Sequence, residues 1–295
     1  MTKPIIVGVD GSTSATNAVR WAAREATSRR VPLWLVHSYL QISTDAQAFL
    51  PRSVDEALRE QGQDYLDTAA AVAREAAPGT AVSTQFVVGA AAQALTALSE
   101  RACLVVVGSR GLGGFTSLIV GSVAITLAAH GHCPVVAVRG ATVDAEPPAA
   151  GPVVTGVNGS VADEAVLEFA FDQASRSRTS LVVVHAWNDH IAESVWAKVP
   201  FVMLGWAAIE RDARLLLAES IAGWQEKYPE VTVQRVVVKG SAPRALLAQA
   251  PNARLLVVGS RGRGALRGAV LGSTSQALLH HAPCPVAVVR PTTGS

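Results

Sequence analysis

A glycine-rich stretch that occurs twice is the part of this sequence best suited to chemistry. Residues 104–122 read LVVVGSRGLGGFTSLIVGS, and residues 255–273 read LLVVGSRGRGALRGAVLGS. Both copies follow the spacing G-x-x-G, nine residues, G-S, and they are displaced by 151 positions. Two such patterns rarely agree by chance over this length, so the repeat indicates two similar units.

The residue types in this stretch favour the binding of phosphate. Glycines at the end of a buried strand let backbone N–H groups turn towards a ligand, because no Cβ stands in the way. Gly121 and Ser122 then open an apolar helical stretch. A helix N-terminus adds unpaired N–H donors and the positive end of a dipole. The alternative interpretation is that the glycines only let a strand and a helix pack closely.

Other phosphate-binding and catalytic motifs are missing from the sequence. Gly108 and Gly113 have P-loop spacing, but Gly114 stands where a P-loop carries lysine. No G-x-G-x-x-G follows a strand, and neither H-E-x-x-H nor G-x-S-x-G occurs. Without a phosphate-activating lysine or a general base in the loop, we expect any hydrolysis to be slow.

Strands that alternate with helices must position these loops. In the first half we predict strands at Ile5–Asp10, Leu33–Tyr39, Val82–Gly89, Leu104–Val107 and Pro134–Arg139. We predict helices from Ser12 or Ser14 to about Arg30, and at Val54–Ala77, Ala90–Arg101 and Gly121–His130, with residues 41–51 irregular. In the second half the matching strands are Val153–Asn158, Leu181–Trp187, Val231–Gly240 and Pro285–Arg290.

Because the strands are apolar throughout, they are typical of a parallel sheet covered on both faces. The sequence therefore predicts an α/β protein of two tandem, doubly wound, Rossmann-like domains with five-stranded parallel sheets. We place the first domain at residues 1–140 and the second at 153–295. A Pro- and Gly-rich linker, 141–152, separates them.

Asp10, at the end of the first strand, is a second candidate binding residue. In a doubly wound sheet, ligands bind beyond the carboxyl ends of the strands where the winding reverses. If the first and fourth strands are neighbours, Asp10 faces the glycine loop and can accept hydrogen bonds from a sugar or help to hold a cation. The alternative is that Asp10 only caps the following helix.

Composition excludes several classes of protein. The 295 residues carry a net charge of +2 without a run of five like charges, which argues against binding to nucleic acid or an anionic membrane. Three cysteines are too few for a disulfide framework, and no apolar run approaches the ~20 residues of a membrane span. We expect a cytoplasmic protein without membrane insertion.

Three further groups of residues have open interpretations. His130, His132 and Cys133, and likewise His280, His281 and Cys284, lack four ligands at a recognised metal spacing, so we predict no metal site there. His37 and His185 end the second strand of each half, where packing is favoured over a binding role. The apolar segment Val199–Ile209 is either a partner surface or part of the core.

In these features the chain resembles the universal stress protein family, in its bacterial tandem-domain form, over nearly its whole length. The resemblance rests on the two glycine stretches, on GVDGS at Gly8–Ser12, and on the strand ends VHS at Val36–Ser38 and VHA at Val184–Ala186. It implies the strand order 3-2-1-4-5, ATP bound by the glycine loop, and a homodimer that often forms through the fifth strands.

The resemblance also implies a set of binding residues in each domain. In the first they are Gly8, Asp10, Val36 against the adenine, Gly108, Arg110, Gly111, Gly121, Ser122 and Val123. In the second they are Gly156, Asn158, Val184, Gly259, Arg261, Gly262, Gly272, Ser273 and Thr274.

The second domain departs from the family pattern at Asn158, where the family has Asp. An amide keeps an acceptor oxygen but lacks the negative charge that a bound cation needs. The second loop also carries Arg261, Arg263 and Arg267, whereas the first has only Arg110. We therefore expect the two sites to differ in affinity or in dependence on Mg²⁺.

The leading prediction is an ATP-binding regulator of stress or dormancy, which acts through nucleotide-dependent conformation or through an unidentified protein partner. One alternative is a slow ATPase or nucleotidyl-transfer enzyme. Another is a scaffold that binds cyclic AMP or no nucleotide.

Overall fold

The structure is a computed structural model, and the residues described below are 2–39, 52–111, 120–142, 145–187, 206–260 and 271–290. The predicted irregular segment 41–51 and the apolar residues 199–205 lie outside them. The chain divides into two compact units, formed mainly by Met1–Pro147 and by Pro148–Cys284.

The first unit alternates strands and helices along the chain. Its strands are β1 (Ile5–Gly8), β2 (Leu33–Tyr39), β3 (Val82–Val88), β4 (Leu104–Gly108) and β5 (Val135–Val138). Its helices are α1 (Thr13–Arg29), α2 (Arg52–Ala76), α3 (Ala91–Leu98) and α4 (Ser122–His130), with a 3₁₀ turn at Ser99–Arg101.

The strands of this unit lie in the order β3-β2-β1-β4-β5, and the described pairings are parallel. Helices α1 and α2 pack on each other, as do α3 and α4, and each pair contacts the sheet. The strand residues of β1 and β4 are almost entirely buried, as expected for a sheet covered on both faces. The predicted doubly wound fold and its strand order are confirmed.

The second unit repeats this arrangement. Its strands are β6 (Val153–Gly156), β7 (Leu181–Trp187), β8 (Val233–Lys239), β9 (Leu255–Gly259) and β10 (Val286–Val289). Its described helices are α5 (Asp163–Arg176), α6 (Trp206–Lys227), α7 (Ala242–Gln249) and α8 (Ser273–His281), with a 3₁₀ turn at Ala250–Asn252. The strand order is β8-β7-β6-β9-β10, which is the order of the first unit.

The first strand of each unit ends two residues before its predicted end. β1 stops at Gly8 because Asp10 turns its side chain onto Ser12 and Gly11 adopts φ +83°. In the second unit Gly159 adopts φ +75° at the matching position. A positive φ suits glycine and costs other residues energy. The chain therefore leaves the sheet at this point in both units, beside the glycine loop.

Among the described residues, no helix combines the length and the apolar character that crossing a membrane requires.

Candidate functional site

A cavity of about 510 Å³ lies at the carboxyl ends of β1 and β4 in the first unit. All of the residues that the sequence analysis assigned to the first site line it: Gly8, Asp10, Val36, Gly108, Arg110, Gly111, Gly121, Ser122 and Val123. Ligand pockets in proteins typically enclose about 300–1,000 Å³. The cavity therefore has the size of a site for a small molecule.

Asp10 is held at the rim of this cavity by the start of α1. The backbone N–H and the hydroxyl of Ser12 both donate to Asp10 Oδ1, at 3.0 and 2.6 Å. Ser12 Oγ in turn accepts from the N–H of Ala15 at 3.1 Å and is the N-cap of α1. Since Ser12 caps the helix, the capping interpretation of Asp10 is wrong, and Asp10 orients the capping residue instead.

The glycines around the cavity serve different purposes. A Cβ on Gly108 would lie 2.8 Å from the carbonyl carbon of Ser14 and 2.9 Å from the nitrogen of Ala15, so this glycine allows β4 and α1 to pack. A Cβ on Gly111 would lie 2.3 Å from Asp10 Oδ2, so this glycine brings the loop backbone against the carboxylate. Among the described residues, the nearest atom to a Cβ on Gly121 would be the carbonyl oxygen of Ser109 at 3.6 Å, an ordinary van der Waals distance. The packing interpretation thus holds for Gly108, while Gly121 has room for a Cβ beside the described residues.

The N-terminus of α4 opens onto the same cavity. Gly121 is its N-cap and has no side chain with which to cap the first turn, and that turn contains no acidic residue. The N–H of Gly121 donates to the carbonyl of Ser109 at 2.8 Å, which fixes the helix start against the glycine loop. Uncapped N–H groups and the helix dipole make this end attractive to an anion.

Arg110 adds a cation to the loop. Its backbone N–H lies 3.4 Å from Ser14 Oγ, which ties the loop to α1. Its side-chain Nε is buried and has no hydrogen-bond partner within the part of the chain that the structure describes. A buried donor without a partner is costly, and an anion in the cavity would supply one.

The opposite wall of the cavity is apolar. Val36, which is 1% exposed, is paired in register with Gly8, and Leu95 of α3 lies beside them. His37 follows Val36, and its Nδ1 donates to the carbonyl of Val9 at 2.7 Å. His185 does the same with Val157 at 2.9 Å in the second unit. Both histidines therefore hold the strand ends that precede Asp10 and Asn158.

The second unit has a much smaller cavity at the equivalent place, about 110 Å³. The predicted site residues that line it are Gly156, Asn158, Val184, Gly259, Gly272, Ser273 and Thr274. Arg261 and Gly262, like Arg263 and Arg267, lie outside the described residues.

Asp163, which the sequence analysis missed, occupies the loop of the second site. Its Oδ2 accepts the backbone N–H groups of Asn158, Gly159 and Ser160 at 2.8, 2.6 and 3.2 Å. Asp163 is the first residue of α5, is 8% exposed, and lines the cavity. The sequence could have shown this difference. Asn158 stands 148 positions after Asp10, and at the same offset Asp163 corresponds to Ala15, so an acidic residue replaces alanine in the second copy.

The two His/Cys groups, at residues 130–133 and 280–284, are those for which the sequence predicted no metal site. No group of three or more His, Cys, Asp or Glu side chains within the described ranges is arranged to hold a metal ion. His132 instead lies 3.7 Å from Glu100. Cys133 is buried, and loss of solvent raises the pKa of its thiol to about 12.

The fold and the paired loops define a tandem α/β protein of the doubly wound class. The chain belongs to the universal stress protein family, whose family model matches residues 1–139 and 150–290.

Curated relatives cover nearly the whole chain. A universal stress protein of Mycobacterium tuberculosis H37Rv is 40% identical over 291 residues, which cover 97% of this chain and 96% of that protein. A universal stress protein of Mycolicibacterium smegmatis is 37% identical over 292 residues, 97% of each chain. The crystal structure of a universal stress protein from Archaeoglobus fulgidus has the same fold, with a TM-score of 0.70 and 19% identity, over 97% of this chain and 98% of that one.

Proposed function

We propose that the first domain binds ATP and that the protein is a nucleotide-dependent regulator of the stress response. The observation that carries the proposal is the cavity of about 510 Å³ in which the glycine loop, the start of α4 and an apolar wall meet. A nucleotide needs all three surfaces: the glycine loop and the start of α4 for its charged phosphates, and the apolar wall for its base.

The residues of the cavity match the parts of the ligand. Val36 and Leu95 offer an apolar surface for the adenine. Asp10 offers a carboxylate for ribose hydroxyls, or for Mg²⁺ that accompanies the phosphates, because Mg²⁺ is commonly held by one or two carboxylates and the substrate phosphates. The backbone at Gly111 and the first turn of α4 would take the phosphates, with Arg110 as the neighbouring cation.

The site supports binding better than hydrolysis. Arg110 is the only cationic residue among the described residues that line the cavity, and the remainder of the loop, residues 112–119, reads LGGFTSLI without a charge. Phosphoryl transfer requires cations that stabilise developing charge. A binding protein without turnover fits a regulator, in which ATP and a protein partner change each other's affinity by the same factor.

Equilibrium titration of the Gly121→Val variant with Mg-ATP tests the proposal. Within the described part of the chain, the nearest atom to a Cβ at this position is 3.6 Å away, and the backbone, at φ −71° and ψ 146°, suits a β-branched residue. The new side chain would cover the cavity wall near the nitrogen of Gly111, 4.0 Å from the Cβ. We expect a loss of affinity of at least about tenfold, or ~1.4 kcal/mol.

Gly223→Ala, on the exposed surface of α6, is the control, since a Cβ there meets nothing within 4 Å. It should bind ATP as the wild type does. Wild-type affinity in a Gly121→Val protein with an unchanged circular dichroism spectrum would contradict the proposal.

The homodimer that the family resemblance implies remains a prediction, as does the cytoplasmic location. Light scattering coupled to gel filtration, with and without ATP, measures the mass in solution and whether nucleotide changes it.

A further inference from the structure

We propose that the Asp163 carboxylate, held on the loop after β6 beside the second cavity, keeps nucleotide out of the second domain, so that one chain binds one nucleotide, in its first domain. This inference rests on the proposed function and adds the stoichiometry and the residue that sets it.

The contacts of Asp163 are those expected of a bound anion. Three consecutive backbone N–H groups, from Asn158, Gly159 and Ser160, converge on Oδ2 within 3.2 Å. Successive N–H groups that converge in this way form an anion-binding concavity. In the second domain the chain's own carboxylate fills it.

The first domain lacks this carboxylate. Ala15 stands at the position that corresponds to Asp163, and it lines the larger cavity. The N–H of Ser12 donates to Asp10 Oδ1 at 3.0 Å, and the N–H of Ser160 makes the matching contact to Asn158 Oδ1 at 2.9 Å, so the domains differ in the added carboxylate of Asp163. The cavity lined by Ala15 measures about 510 Å³ and the cavity lined by Asp163 about 110 Å³, a difference larger than one carboxyl group fills, so Asp163 accounts for only part of it. Only the larger volume falls in the usual range of ligand pockets, about 300–1,000 Å³.

At Asp163 itself, charge acts in the same direction as volume, whereas the sequence of the second glycine loop has three arginines, Arg261, Arg263 and Arg267, where the first has one. A phosphate that entered the second cavity would approach the Asp163 carboxylate and would have to compete for hydrogen bonds that this charged group already accepts. Hydrogen bonds to a charged acceptor are stronger than those between neutral groups. Asn158 adds no acidic group with which to recruit a cation between the two anions. The arrangement therefore disfavours a triphosphate in the second domain.

The first test is the stoichiometry of Mg-ATP binding to the whole chain, measured by calorimetry and by native mass spectrometry. We expect one ATP per chain. Its affinity should fall by at least tenfold in Gly121→Val and stay within twofold of the wild type in Gly272→Val, the matched substitution at the N-cap of α8. Two ATP per chain, or weakened binding in Gly272→Val, would overturn this inference and leave the proposed function intact. No binding to the wild type would overturn both.

The second test exchanges the residues between the domains. Asn158→Asp combined with Asp163→Ala gives the second loop the residues of the first, and in a Gly121→Val background we expect ATP binding to return. Ala15→Asp should abolish binding in the first domain, whereas Ala15→Asn, of similar size but uncharged, should weaken it less. If the folded Asn158→Asp, Asp163→Ala protein gains no site, Asp163 is not what closes the second domain.

Discussion

At the scale of single residues, the first site is assembled from short polar contacts around one carboxylate. Asp10 holds Ser12, Ser12 caps α1, and Gly111 leaves room for the loop beside Asp10. These contacts join residues of the loop after β1 to the start of α1 and to the glycine loop after β4, and β1 and β4 are neighbouring strands. Asp10 therefore organises the two loops that border the cavity, and it lines the cavity itself.

Gly108 is the residue at which we expect a methyl group to cost stability. In Gly108→Ala the Cβ would lie within 3.0 Å of backbone atoms of Ser14 and Ala15, which cannot rotate away. Overpacking of this kind destabilises by about 1–3 kcal/mol. Urea unfolding measures the change, and Gly121→Ala, whose Cβ has room, is the matched control. Equal stabilities of the two variants would show that β4 and α1 separate readily.

Cys133 gives a prediction in pH. Burial raises the pKa of its thiol to about 12, whereas an exposed thiol has a pKa of about 8.5. Above pH 8.5 the unfolded chain releases this proton while the folded chain keeps it, so the contribution to stability falls as the pH rises from about 8.5 to about 12. The stability of the wild type relative to Cys133→Ala should therefore be lower at pH 10 than at pH 8. Parallel pH curves from urea unfolding of the two proteins would contradict this.

The sequence identified residues that line the first cavity but not how their polar atoms are paired. The nine residues that the family resemblance implied all line one cavity, and their role in binding stays a prediction. The buried Nε of Arg110 and the contacts of Asp163 depend on which loops meet in the fold, which spacing alone does not contain. For Asp163 the matching Ala15 was a usable signal, but only once the two loops were compared position by position.

At the scale of elements, periodicity and apolar runs located the strands and helices well, and the ends of elements less well. β2 and β7 have their predicted bounds, Leu33–Tyr39 and Leu181–Trp187, and each is a short, mainly apolar run that is largely buried. The predicted helix Ala90–Arg101 is divided into α3 and a 3₁₀ turn at Ser99–Arg101. There Ser99 Oγ accepts the N–H of His132. Such a contact between distant segments is not visible in local sequence.

Alanine substitutions at two glycines with room for a Cβ should have opposite effects on stability, one through helix propensity and the other through backbone conformation. Gly223 lies inside α6 and Gly79 follows α2 at φ +89°, and a Cβ on either would meet nothing within 4 Å. Gly223→Ala should stabilise the protein by roughly 0.5–1 kcal/mol. Gly79→Ala should destabilise it by about 1–2 kcal/mol, because a positive φ strains an L residue. Urea midpoints of the two variants measure the difference, and changes of the same sign would be inconsistent with this account.

At the scale of the whole molecule, the displacement of 151 positions predicted the duplication, and the family model matches both halves. The duplication did not predict that the two domains bind ligand equally, because a repeat is recognised from the residues that both copies share and not from those that differ. Asp10 and Asn158, and Ala15 and Asp163, are pairs in which the copies differ. These pairs lie at the loop after the first strand of each unit and in the first turn of the helix that follows, and they line the two cavities.

The carboxylate that Asp163 places on three backbone N–H groups has a consequence for how the chain responds to nucleotide supply. A protein with two equal pockets passes through half-loaded forms, and its output is then spread over several populations. If the proposed stoichiometry holds, this chain is either empty or full, so its saturation with ATP rises along a simple hyperbola set by one dissociation constant. Such a response is graded, and no second occupied site within the same chain could steepen it by cooperativity.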